Sequence, residues 1–200
     1  MYTEIKKNIF DCQVCPTRCD GKSKLNYQFL DDVKFAEEQE EIIRNRINNH
    51  KEYKADKCNK DGYPDIVILR NNNIYRYIEV KAQRRTFMKV ETFLPSSNLK
   101  PSETLALNLS DLVRYFKIEE ETGIKTSIVW VLMNRPCIVK DNEKHFYYQT
   151  TEKLRKIYNF YQNKRRFRRK SGLGDIVDGV HKGVTVNYHF SINELTKWGE

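Results

Sequence analysis

The chain has 200 residues, enough for one domain with a sizeable core and an appendage. Its 36 Lys and Arg against 27 Asp and Glu leave a net charge of +9, which favours a polyanion such as nucleic acid over an acidic small substrate. No apolar run approaches the ~20 residues of a membrane span, and Met1 to Lys7 lacks the apolar core of a signal peptide, so the expected setting is intracellular with no membrane partner.

Five cysteines are present, and three of them, Cys12, Cys15 and Cys19, crowd the N-terminal segment, residues 1–31. An odd count in a reducing compartment argues against a disulfide framework, and a Cys-x-x-Cys step lets two thiolates reach one metal from a single tight turn. Cys58, in the polar loop before the next strand pair, is the best fourth ligand, with His50 as a substitute. Such a set closes around zinc or, second, an Fe–S cluster. Cys137, in a strand-like segment, reads as an ordinary buried thiol.

Asp32 to His50 has helical period, with an apolar stripe of Phe35, Ile42, Ile43 and Ile47, acids early and bases late. Glu38 falls three residues after Phe35 and four before Ile42, within that stripe, where an acid is unfavourable without a partner. Glu37, Glu40 and Glu41 are easier to leave in water.

Tyr63 to Gln83 reads as a hairpin: two runs rich in Ile, Val and Tyr around three asparagines. A turn centred on Asn72 pairs Ile68 with Arg76 and Ile66 with Ile78, and sets Asp65 opposite Glu79. Facing Cβ atoms lie about 5 Å apart, so two carboxylates there need a compensating charge, which Mg²⁺ would supply. Alternation puts Lys81 on the same face as Glu79. The pairing requires an odd turn, most simply Asn71 to Asn73, because a two-residue turn sends Asp65 to the other face.

Beyond the hairpin, Arg84 to Leu109 reads as irregular, with short strands at Met88–Val90 and Phe93–Leu94. Ser110 is expected to cap a helix from Asp111 to Thr122 that Gly123 ends, and Thr126 to Met133 reads as a strand buried on both faces. In the C-terminal third, a strand at His145–Gln149 leads to a helix at Thr151–Gln162, then to Lys164, Arg165, Arg166, Phe167, Arg168, Arg169 and Lys170. Six of those seven side chains are cationic, a density that suits phosphate contact. A last strand over Gly183–Phe190 and a capping box at Ser191–Glu194 close the chain, and His181 and His189 read as structural. The implied class is α/β, a mixed central β-sheet flanked by helices, with a Cys-rich metal-binding segment before it and a basic C-terminal extension after it.

Pro64-Asp65, then Glu79-Val80-Lys81 after a spacing of 14 residues, with a glutamate on the preceding helix, resembles the PD-(D/E)xK nuclease superfamily and its restriction-endonuclease-like fold. The resemblance covers roughly Asp32 to Met133, and divides the chain into residues 1–31, a nuclease-like core over residues 32–140 and a basic, aromatic extension over residues 141–200. It implies Mg²⁺- or Mn²⁺-dependent phosphodiester hydrolysis, with Asp65, Glu79 and the Val80 carbonyl on the metal and Lys81 orienting or activating the attacking water. Glu38 matches the family's helix acid, with Glu37 and Glu41 as alternatives, and Gln83 matches an extra polar residue of several branches. Three cysteines ahead of the core depart from the family's usual Fe–S arrangement, which puts zinc first. DNA is expected ahead of RNA, and homodimerisation stays open. The competing expectation is a non-cleaving, zinc-stapled module that binds nucleic acid or a partner.

Overall fold

The computed structural model describes residues 29–83, 86–133, 137–139, 143–169, 176–177, 180–181 and 186–199. Helix α1 (Phe29–Asn48) opens them, and its buried line runs through Gln39, Ile43 and Ile47. Those positions repeat every four residues and face the sheet; Asn48 ends the helix by exchanging hydrogen bonds with both backbone groups of Ala55 (2.7 and 3.1 Å).

Ala55 lies in strand β1 (Lys54–Lys57), which pairs antiparallel with β2 (Ile66–Arg70), itself antiparallel to the long β3 (Asn73–Gln83). A short helix α2 (Val90–Phe93) follows, then strand β4 (Thr104–Asn108), helix α3 (Leu109–Thr122) and strand β5 (Lys125–Leu132). Because β5 runs parallel to β3, the chain needs a crossover, and α3 supplies it. Gly123 ends α3 at φ 69°, a left-handed conformation that costs glycine nothing.

Strand β6 (His145–Thr150), helix α4 (Thr151–Tyr161) and strand β7 (Arg166–Arg168) come next. The ribbon of β8 (Ile176–Val177) and β9 (Val180–His181), then β10 (Val186–Ser191) and β11 (Thr196–Lys197), complete the order. The main sheet is mixed, β1-β2-β3-β5-β6-β11, and a second sheet runs β4-β10-β7. The expected mixed sheet with helices packed on it is therefore present. It does not stop at residue 140: β6 pairs with β5, and β11 with β6, so the last third contributes two strands to the same sheet.

Two apolar layers enclose β5. Ile128, Trp130 and Leu132 point into the layer shared with α3, α4 and the second sheet; Val129 and Val131 point into the layer under α1. Seven of the eight β5 residues are buried, as the uninterrupted apolar run demands. Trp130 also ties the sheets together, its indole N–H donating to the Ala106 carbonyl at 3.1 Å.

Several expectations are corrected. Met88–Val90 and Phe93–Leu94 form no strand: Val90–Phe93 is helical and the strand of this region is β4, whose Thr-Leu-Ala-Leu-Asn lacks β-branched enrichment and alternation. Helix α3 is capped by Asn108, whose side chain accepts from the Ser110 N–H, rather than by Ser110. Cys137 lies in a turn and is half-buried.

Candidate active site

The hairpin register differs in its cause from the sequence expectation and agrees in its result. The turn holds two residues, Asn71 and Asn72, both left-handed at φ 52° and 62°, and Arg70 pairs directly with Asn73. Two positive-φ residues are the requirement of a type I′ turn, which asparagine meets better than most side chains. That turn alone would put Asp65 and Glu79 on opposite faces. A β-bulge at Tyr75 absorbs one residue, however: Leu69 pairs with Ile74, whereas Ile68 pairs with Arg76 and Ile66 with Ile78. One step further, Asp65 faces Glu79.

Asp65 sits at the mouth of β2, after Pro64, with its carbonyl accepting from the Cys58 N–H at 2.8 Å. Its Oδ2 accepts from the Val80 N–H at 2.7 Å, so the side chain continues a backbone ladder that the strand has ended. Glu79 is only 2% exposed. Tyr115 donates its hydroxyl to Glu79 Oε2 at 2.5 Å, and Lys81 Nζ forms an ion pair with Oε1. Asp111, in the first turn of α3, lies 3.9 Å from Lys81 through Oδ2 and accepts from Arg114 Nη2 through Oδ1 at 2.7 Å.

The acids crowd one another. Burial pushes the Glu79 carboxyl up to about 7, with the Asp65 charge adding to it, against the opposing pull of Lys81 and the Tyr115 hydroxyl. Asp65 is raised as well, first by burial and further by Glu40, against the Val80 N–H and Lys81. Glu40, half-buried on α1, is raised by burial and then by Glu79, against Lys57. Burial works against the Lys81 ammonium, but the charges of Glu79, Asp65 and Asp111 carry it above the ordinary lysine value. Three acids raised together, chiefly by burial, beside one cation mark the place as a candidate functional site.

The donor set suits a small, hard dication. It consists of carboxylate oxygens with no thiolate or imidazole, the preference of Mg²⁺ or Mn²⁺, and Mg²⁺ takes one or two carboxylates and keeps its waters. Among the described residues no group of three His, Cys, Asp or Glu is arranged to hold a metal ion.

The helix acid is corrected. Glu38 is exposed, as are Glu37 and Glu41, whereas Glu40 is half-buried, and its charge acts on Asp65 and feels that of Glu79. The buried line of α1 passes through Gln39, Ile43 and Ile47, with Phe35 and Ile42 half-buried beside it, so the stripe keeps Ile43 and Ile47 and leaves Glu38 outside. Gln83 is occupied elsewhere: its side-chain oxygen accepts from the Ala106 N–H (3.2 Å) and its amide donates to the Thr104 carbonyl (3.5 Å), clasping β4 to the end of β3.

The basic run divides. Arg165 is 2% exposed, stacks 3.4 Å above the Tyr161 ring, donates to both carboxylate oxygens of Glu194 (2.7 and 2.8 Å) and to the Ser97 carbonyl (3.2 Å). It is a core residue, unavailable to a phosphate. Lys164, Arg166 and Arg168 are exposed, and Arg169 is half-buried. Cys12, Cys15, Cys19 and Lys170 lie outside the described residues. Cys58 is half-buried against Tyr63 and Tyr77 beside the apolar core.

Asp111, Tyr115 and Glu40 are the site residues that sequence reasoning passed over. Asp111 and Tyr115 are four apart, hence on one face of α3, and that spacing was their available signal.

No family model matches the chain, and no curated protein matches it. Among solved structures it is similar to Archaeoglobus fulgidus Hjc, a Holliday junction resolvase from an archaeal hyperthermophile, at 11% identity, over 82% of this chain and 92% of that one, with a TM-score of 0.43. A likeness that distant carries no argument about chemistry.

Proposed function

We propose that this chain is a divalent-metal-dependent endonuclease that hydrolyses phosphodiester bonds in nucleic acid, DNA ahead of RNA. The observation that carries the reading is the meeting of Asp65 and Glu79 across β2 and β3 with Lys81 Nζ on the same side. A protein that only binds has no use for a buried acid pair held at that cost.

Asp65, Glu79 and the Val80 carbonyl would hold the ion, with Glu40 next to them. When bound there, a divalent cation neutralises charge on the scissile phosphate and acidifies water. The chain's own groups do the rest. Lys81, steered between Glu79 and Asp111, places an ammonium where negative charge develops during attack and orients the incoming water. Tyr115 fixes the Glu79 side chain in one orientation from behind. Lys164, Arg166 and Arg168 offer exposed positive charge for the phosphates of a nucleic acid.

Incubation of the purified protein with plasmid, linear and branched DNA and with RNA, in Mg²⁺ or Mn²⁺, tests the reading. Wild type should cut at least one substrate, and Lys81→Ala and Asp65→Asn should not. Equal inertness of all three proteins on every substrate would sink the enzyme and leave the non-cleaving module.

A further inference from the structure

The face of the main sheet opposite Glu79 carries a second concavity that the catalytic reading does not use. Helix α1 covers only part of that face. Past its C-terminal end the sheet is open, leaving a cavity of about 260 Å³ floored by Ile68, Ile78 and Val129. Its walls are aromatic: Tyr53 and Tyr75 stand on one side, their ring centroids 5.4 Å apart, and Tyr148 and Trp198 on the other. The bulge that sets the catalytic register also delivers Tyr75 here, 41% exposed.

Besides the aromatic walls, three polar side chains, His50, Arg76 and Ser127, break the apolar lining. Arg76 donates through Nη1 to Ser127 Oγ at 2.6 Å, and its guanidinium lies 5.7 Å from the Tyr75 ring. No carboxylate pairs with Arg76 among the described residues, although the neighbouring Arg70 pairs with Glu52. The guanidinium has more donors than Ser127 can satisfy, and they are left beside a cavity.

These features select a ligand. The volume is below the ~300–1,000 Å³ of drug-sized sites, so one ring system fits. Aromatic walls on two sides of an apolar floor offer stacking surfaces, and an arginine without an acid asks for acceptors or negative charge. An acyl chain would bury the Arg76 donors unmatched, at a cost. A nucleobase supplies both a π-face and ring nitrogens or carbonyl oxygens that accept.

We propose that this aromatic cavity binds a single nucleobase, either of a free nucleotide or of an unstacked residue in a strand. Stacking a base on an aromatic side chain contributes about 1–3 kcal/mol and tolerates any sequence, because every base has a π-face. The site is independent of the carboxylates and stands whether or not they cleave.

Trp198 reports on it, since Trp130 is fully buried elsewhere. The full chain carrying Lys81→Ala, which protects the probe from cleavage, is titrated with dAMP, with oligo-dA and with decanoate while tryptophan emission is followed. Saturable quenching by dAMP is expected, absent in Trp198→Phe, weakened about tenfold or more in Tyr75→Ala and restored in Tyr75→Phe. Quenching by oligo-dA alone, with the same dependence on Tyr75, assigns the base to a strand and also supports the proposal. Quenching by decanoate alone, quenching that survives Trp198→Phe, or none from any probe overturns it.

Discussion

Tyr115 donates its hydroxyl to Glu79 Oε2 across 2.5 Å and so joins α3 directly to β3, whereas Asp111 of the same helix reaches Lys81 only at 3.9 Å. Both residues are buried, and Lys81 takes the other carboxylate oxygen. A hydrogen bond to a charged group contributes about 1.5–3 kcal/mol, and here it fixes which way the Glu79 oxygens point. Tyr115→Phe keeps the packing and removes that donor. Cleavage should fall roughly tenfold or more through kcat, with the KM for DNA unchanged, and the Mg²⁺ concentration for half-maximal rate should rise. A change confined to thermal stability would make Tyr115 a packing residue only.

The helix acid offers a sharp contrast between two neighbours on α1. Glu40 adds its charge to those of Asp65 and Glu79, whereas Glu38 is exposed. Glu40→Gln should cost about 10- to 100-fold in metal affinity or rate, the usual effect of groups behind the direct ligands. Glu38→Gln should stay within about twofold, as surface changes do. Steady-state cleavage at several Mg²⁺ concentrations separates them, and the reverse order would move the site to the other side of the helix.

The bulge at Tyr75 can be tested by counting residues. Inserting one alanine after Tyr77 lengthens β3 beyond the bulge and should swing Glu79 away from Asp65, abolishing cleavage even if the hairpin forms, whereas deleting Tyr75 removes only the bulged residue and leaves Ile68 opposite Arg76 and Asp65 opposite Glu79. Cleavage lost in the insertion variant and kept in the Tyr75 deletion is the expected result; an insertion variant that cuts as well as wild type would show that facing acids are not needed.

That hairpin also marks how far the chain could be read. Facing acids followed from alternation and from the count between Asp65 and Glu79, both local properties. The two compensating irregularities, a turn one residue short and a bulge one residue long, cancel in that count and leave no trace in it. Glu40 was hidden because the buried line on α1 begins at Gln39, a polar residue whose amide donates to the Phe35 carbonyl and accepts from Lys144. Phase estimated from apolar residues alone therefore drifted. Tyr115 and Asp111 reach β3 only through the crossover, and Arg165 finds Glu194 29 residues later, so within its own basic run it reads as one more solvated charge.

His189 should make stability depend on pH. It is 3% exposed, and a carbonyl can only accept, so its Nδ1 carries the proton donated to the Arg165 carbonyl at 3.2 Å. Burial, with the nearby Arg165 charge assisting, holds its pKa down at about 4 from an ordinary 6.5. Between those values the unfolded chain binds more protons than the folded one. Stability is therefore full above about pH 6.5 and is lost as pH falls toward 4, by roughly 3 kcal/mol from this residue. Urea unfolding at intervals across that window should show the decline, and His189→Gln should flatten part of it.

Arg165 and Arg168, three residues apart, should behave as different kinds of arginine. Arg165 is enclosed with Glu194, whose carboxylate also accepts from the Ser191 N–H at 2.9 Å. Arg165→Ala leaves that acid buried without its cation and should cost about 3–5 kcal/mol, whereas replacing the pair together, Arg165→Met with Glu194→Leu, should cost far less. Arg168 is exposed on β7, and Arg168→Ala should leave stability within about 0.5 kcal/mol. Its effect belongs to binding: affinity for DNA should drop on every sequence alike, and the slope of log K against log salt should fall by about 1. Unfolding curves and filter binding at several salt concentrations, run on the same proteins, test both halves. A salt slope untouched by Arg168→Ala would take β7 off the nucleic-acid surface.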